Sequence, residues 1–271
     1  MKRNLVLFAL FMSLAFTVAA QEHDEAAPLS GKGLGTIFNN DINNILYALD
    51  GVNATPEQYR RVVDAILNMQ PGVLAQNVGL PDAVVYPTAV GTTFDTHLVE
   101  VARKTWPEND GSGAERQRDV LRRLFEAGTD PLTITIEACR ARGVPIVASF
   151  RMNAEDWYGN TYLLSDFGRA HPEYRISGAG NLDPAIDEVF AHRMALLTEV
   201  AQRYDIDGIE LDFRRWHRMI SNPLENHPIL TRMVRETRNM LDNTAKAKGR
   251  KRMLLGVRVG PSLDSEPSPY L

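Results

Sequence analysis

Cysteine is almost missing from this chain: 271 residues carry one thiol, Cys139. One thiol makes no internal disulfide and offers no thiolate cluster to a metal. The six histidines do not replace it. His171, His217 and His227 stand apart, none with a partner at a metal-ligand spacing, so neither a metal nor any other cofactor is expected. Long basic blocks are missing too. The formal charge is −4, which argues against nucleic acid as a partner. Tryptophan is scarce, so each of the three is worth locating.

Apolar runs long enough to cross a bilayer, about 20 residues, are also missing. The one extended run is Leu5 to Val18, broken by Ser13 and Thr17. Lys2 and Arg3 precede it, and Val18-Ala19-Ala20 follows with small residues at the −3 and −1 positions. That is the pattern of a signal peptide, residues 1–20, cleaved between Ala20 and Gln21. The expected product is periplasmic or extracellular, with no stable membrane anchor. Loss of Lys2 and Arg3 takes its charge from −4 to −6. With no bridges, such a chain depends on its core, and 44% hydrophobic residues suffice for one large domain. Cys139 shares a helical face with Leu132 and Ile136 and is expected to be a buried structural thiol.

Residues 21–43 are polar and turn-rich and are expected to form a flexible arm. From 44 to 271, short β-type runs alternate with helical patterns, the signature of a parallel sheet with crossover helices. Strands are expected at Asn44–Leu49, Val73–Val78, Pro145–Met152, Gly208–Phe213 and Met253–Val259. Thr55-Pro56-Glu57-Gln58 opens a helix with a capping box, and Asp130-Pro131 opens another that Gly143 ends. Further helices are expected to start at Asp183-Pro184 and at Pro228. Residues 79–128 form an insertion of the kind that decorates a binding face. About five β/α units result, where a closed barrel needs eight. A truncated gene product, a doubly wound open sheet and unrecognised strands all fit that count. Truncation is preferred, because the last strand has no helix after it.

The most informative stretch is Tyr204-Asp205-Ile206-Asp207-Gly208-Ile209-Glu210-Leu211-Asp212-Phe213-Arg214. A strand alternates faces, so Ile209, Leu211 and Phe213 can pack on helices. Gly208, Glu210, Asp212 and Arg214 then share the inward face. Buried carboxylates are costly unless paired or used. Glu210 and Asp212 are therefore the leading catalytic candidates, with a structural ion pair as the alternative. Their Cα atoms lie about 6.6 Å apart along the strand, at different depths. Asp156, after the third strand, is a further carboxylate candidate. Arg151, Asn153, Arg214 and Arg258 are candidate substrate-binding groups. Trp157 and Trp216 each follow a strand end and can stack on the apolar face of a ligand, or else pack under loops. The amides of Phe38-Asn39-Asn40-Asp41-Ile42-Asn43-Asn44 can bind hydroxyls or serve as turn residues.

Residues 145–260 resemble a glycosyl hydrolase-like family of bacterial exported barrel proteins, the group numbered ten. The resemblance rests on His171-Pro172-Glu173-Tyr174, then Leu182-Asp183-Pro184, then Tyr204 to Asp212, in that order and spacing. It implies a (β/α)8 TIM-barrel type fold, here incomplete, and action on the glycosidic bonds of a carbohydrate, with Asp212 as nucleophile or stabilising carboxylate and the acid from another strand end, where Asp156 is available. A non-catalytic carbohydrate-binding barrel and a degenerate fragment are the alternatives. The same stretch is similar to the chitinase signature Asp-Gly-x-Asp-x-Asp-x-Glu. It departs from that signature at Arg214, which stands where the proton-donating glutamate belongs and cannot donate usefully near neutral pH.

Overall fold

The computed structural model describes residues 35–260 apart from 42–44, 47, 52, 81–82, 95–99, 101–111, 153–164, 177–180 and 215–218. The described elements run β1 (Ile37–Asn40), α1 (Pro56–Leu67), β2 (Val73–Asn77), β3 (Gly79–Leu80), β4 (Ala83–Val84), β5 (Thr92–Thr93), α2 (Ser112–Glu126) and α3 (Pro131–Arg142). They continue with β6 (Ile146–Arg151), α4 (Asp166–Ala170), a 3₁₀ turn (Pro172–Tyr174), α5 (Asp187–Arg203), β7 (Gly208–Asp212), α6 (Pro223–Ala247) and β8 (Leu254–Arg258).

Local chemistry sets these limits. Thr55 accepts from the Gln58 amide while the Gln58 side chain accepts from the Thr55 amide, closing the capping box at α1. Asp130 accepts from the amides of Leu132 and Thr133, with Pro131 at the first helical position of α3. Gly143 ends α3 at φ +65°, where a side chain would be strained.

Five strands form one parallel sheet in the order β1-β2-β6-β7-β8, and β3-β4-β5 form a small second sheet in the insertion. Each step along the large sheet goes to the next strand in the same direction. A doubly wound sheet would reverse its order partway. Right-handed crossovers with no reversal put the helices on one face. The core agrees. Leu74, Ile146, Ala148, Phe150, Ile209 and Leu211 join the helix side chains in one apolar cluster. Val73, Ala75 and Val147, of opposite parity, form a separate small cluster on the other face with Leu254.

That second face is concave. Asn39 and Glu210 sit on strands three steps apart, roughly 14 Å along a flat sheet at about 4.8 Å per step. Yet Asn39 Nδ2 donates to Glu210 Oε1 at 3.0 Å. Two short side chains and one hydrogen bond do not span a flat sheet over that distance, so the strands must wrap toward each other. No closed barrel forms among the described residues, where β1 and β8 are the two edges.

Several expected boundaries move. The first strand lies at Ile37–Asn40, inside the segment read as an arm, not at Asn44–Leu49. Ile45, Leu46 and Ala48 are helical, and the Leu49 amide donates to the Ile45 carbonyl as a helix requires. The helix expected at Asp183 begins at Asp187, so Asp183 is not its cap. Instead Asp183 Oδ1 accepts from the Ala185 amide at 3.0 Å and the Ser221 amide at 3.3 Å, pinning two loops together. The helix expected at Pro228 begins at Pro223, with Pro228 inside it. Proline frees the carbonyl four residues back, and His227 Nδ1 lies 3.1 Å from that Leu224 oxygen.

Candidate functional site

The register places the polar residues in rows. Asn77, Ser149, Glu210 and Gly256 are successive partners across β2, β6, β7 and β8. One row nearer the C-terminal ends, Arg151, Asp212 and Arg258 are partners across β6, β7 and β8. Two residues earlier the same face is apolar, with Ala75, Val147, Gly208 and Leu254. The concave face therefore changes from an apolar floor to a polar mouth along the strand direction.

Glu210 is the hub of the first row. Its Oε1 accepts from Ser149 Oγ at 2.7 Å and from Asn39 Nδ2 at 3.0 Å. Ser149 is buried and Glu210 partly so, while Asn39, paired with Ala75 one row below, is exposed, so this contact reaches solvent at the β1 edge. Asp212 anchors the second row. Its Oδ2 accepts from Arg258 Nη1 at 3.2 Å and its Oδ1 from the Arg214 amide at 2.9 Å. Asp212 is 3% exposed, whereas Arg258 is half-buried and the Arg214 residue exposed. Arg151, 4% exposed, reaches two strands across and donates through Nη2 to Asp41 Oδ2 at 2.5 Å.

So Arg151, Glu210, Asp212 and Arg258 come together on one face. Arg214 joins them through its backbone amide. Asn153, Asp156, Trp157 and Trp216 lie outside the described residues. The amide segment that was open between turn and site divides by parity. Asn39 faces Glu210, while Asn40, on the other face, donates to Gln76 Oε1 at 2.8 Å. The sequence does not single out Asn77, which lies within the run Val73–Val78 expected as a strand.

Asp207 is not part of this site. It precedes β7 at the opposite end of the strand. Arg140 Nη1 donates to its Oδ2 at 2.7 Å and Arg250 Nη2 to its Oδ1 at 3.3 Å. Its Oδ2 also accepts from the Ile146 amide at 2.8 Å, tying the starts of β6 and β7 together. Donating to Asp207 holds the Arg140 guanidinium above its ordinary pKa. Gly208 is structural for a different reason: a Cβ there would lie 2.6 Å from Leu254 Cβ and overlap the Leu254 backbone.

The other two motif segments lie beside the sheet. The Tyr174 carbonyl accepts from the Asp183 amide at 2.8 Å, with a bridge between Arg175 and Leu182, so His171–Tyr174 and Leu182–Pro184 are joined. His171 stacks on Tyr174 at 4.5 Å and lies 3.1 Å from Glu173. In the insertion, Thr88 Oγ1 and the Ala89 amide donate to Glu199 of α5, fastening that loop to the helical layer.

Among the described residues no group of three or more histidine, cysteine, aspartate or glutamate side chains is placed to hold a metal, and no helix is long and apolar enough to cross a membrane. No protein-family model and no curated protein matches the chain. Among solved structures it is similar to alpha-L-fucosidase isoenzyme 2 from Paenibacillus thiaminolyticus, at 11% identity and a TM-score of 0.45. The likeness covers 83% of this chain and 32% of the fucosidase, so the chain spans about a third of that protein's length.

Proposed function

We propose that this chain is a glycoside hydrolase-like protein of (β/α) TIM-barrel type, exported by its first 20 residues, that acts on glycosidic bonds of an oligo- or polysaccharide. The observation that carries this reading is the concave polar face, with Asn39, Ser149, Glu210, Arg151, Asp212 and Arg258 joined across neighbouring strands. Unreversed parallel sheets of this kind bind ligands at the C-terminal ends of their strands. A surface of amide, hydroxyl, carboxylate and guanidinium groups suits the hydroxyls of a sugar.

In this reading Asp212, oriented by Arg258 and the Arg214 amide, is the nucleophile or the carboxylate that stabilises positive charge at the reacting carbon. Glu210 binds hydroxyls, steadied by Ser149 and Asn39. The proton donor is a carboxyl from another strand end, with Asp156 the candidate. Retention needs the two carboxyls about 5–5.5 Å apart and inversion about 6.5–9.5 Å.

Non-catalytic carbohydrate binding is the second reading. The deep burial of Asp212 and its commitment to two partners favour it, since a nucleophile must reach the sugar. The test is hydrolysis of a glycan panel by the wild type and by Asp212→Asn, with binding measured in parallel. Turnover that falls about 1,000-fold or more in the variant supports catalysis. Binding without turnover in either protein supports the second reading. Neither turnover nor binding overturns both.

A further inference from the structure

Asn77 ends β2 on the concave face, in the row of Ser149 and Glu210. It is 2% exposed. Its Nδ2 donates to two backbone oxygens, those of Gly79 at 3.2 Å and Ser149 at 3.4 Å. Those two acceptors fix the carboxamide's orientation, because the flipped rotamer would set Oδ1 against two carbonyls. Oδ1 is thereby left as a buried acceptor with no donor among the described residues. A buried polar atom without a partner is destabilising and calls for an explanation.

The neighbouring row supplies one. Both hydrogen bonds of the Glu210 carboxylate fall on Oε1, and Oε2 has no partner among the described residues. Asn77 Oδ1 and Glu210 Oε2 are thus two acceptors without donors among the described residues, on the strands either side of Ser149. A neutral polyol, which brings O–H donors, fits.

We infer that Asn77 is a specificity-determining residue that accepts a hydrogen bond from one hydroxyl of the bound ligand. The inference rests on the carbohydrate reading above and adds to it the requirement for a donor at this position. A site built to hydrogen-bond a hydroxyl discriminates strongly against the analogue lacking it, because its own buried acceptor is then left unpaired.

The experiment is calorimetric binding to the full-length mature chain. The probes are methyl glycosides of common hexoses, pentoses and N-acetylhexosamines, followed by the monodeoxy and deoxyfluoro analogues of whichever glycoside binds. In the wild type, one position should lose roughly 10- to 100-fold in affinity on deoxygenation, and equally with fluorine, which cannot donate. Asn77→Ala should bind the parent glycoside as weakly as the wild type binds that analogue, and should no longer tell the two apart. Asn77→Ala also loses the Nδ2 bonds, so its melting curve is recorded, and Asn77→Ser serves if the alanine variant unfolds. If fluoro analogues bind the wild type like the parent at every position, the inference is overturned without any variant. It is also overturned if glycosides bind the wild type and Asn77→Ala equally, while the carbohydrate reading survives. If no methyl glycoside binds the wild type while members of the glycan panel do, the inference is overturned and the carbohydrate reading survives; if neither binds, both fall.

Discussion

Replacing Gly208 with alanine tests how tightly β7 and β8 are joined beneath the polar face. The added Cβ would overlap the Leu254 carbonyl oxygen and lie 2.6 Å from Leu254 Cβ and 2.7 Å from the carbonyl carbon. These are mainly backbone atoms, so no side-chain rotation relieves the clash and the strands must part. Overpacking of this kind costs about 1–3 kcal/mol. Parting the strands also weakens the bond from the Leu254 amide to the Asp207 carbonyl, 2.8 Å, at about 1 kcal/mol for each such bond lost. The expected loss is about 2–4 kcal/mol, a large share of the roughly 5–15 kcal/mol typical of a domain. Gly256→Ala is the control on the facing strand. Its Cβ would meet Glu210 Cβ and Cγ at 3.5 Å, ordinary contact, and the expected change is within about 1 kcal/mol. Urea unfolding followed by circular dichroism measures both. Equal stability of the two variants would refute the close approach.

Burial pushes the Cys139 thiol up to about 12, so it should resist alkylation at pH 8 in the native state and react at once in urea. The unfolded thiol loses its proton near 8.5 while the folded one keeps it. Stability should therefore fall as pH rises above about 9, and the part of that fall between about pH 9 and 10 should vanish in Cys139→Ala. Burial also raises Tyr59 and Tyr204, which adds to the fall above pH 10. Asp207→Asn should cost about 1–3 kcal/mol in urea by weakening the clamp to Arg140, Arg250 and the Ile146 amide. Thr55→Ala should cost about 1 kcal/mol by opening the capping box of α1, read from the same unfolding curves.

Much of the parallel sheet could be read from residue alternation. Ile209, Leu211 and Phe213 are buried against the helices, while Glu210 and Asp212 face the other way. The caps of α1 and α3 were legible because Thr55-Pro56-x-Gln58 and Asp130-Pro131 combine a cap with a proline. The first strand was missed because Ile-Phe-Asn-Asn is half polar and is paired only through β2. The apolar run after it satisfies a helix as well as a strand, and a run that short carries no period to separate them. Asp207 and Asp212 look alike in sequence. Only the strand's direction separates a clamp at its start from a carboxylate at its end. Likewise, no local pattern reveals that Asn39 meets Glu210, since that contact depends on the curvature of the whole sheet.

That curvature sets the decisive comparison. Affinity for the oligosaccharide that binds tightest is measured by calorimetry for the wild type, Glu210→Gln and Asp207→Asn, all at a temperature where each is folded. Binding should weaken at least tenfold in Glu210→Gln and stay within twofold of the wild type in Asp207→Asn. Equal losses in both, or a loss confined to Asp207→Asn, would contradict a ligand site on the concave strand-end face.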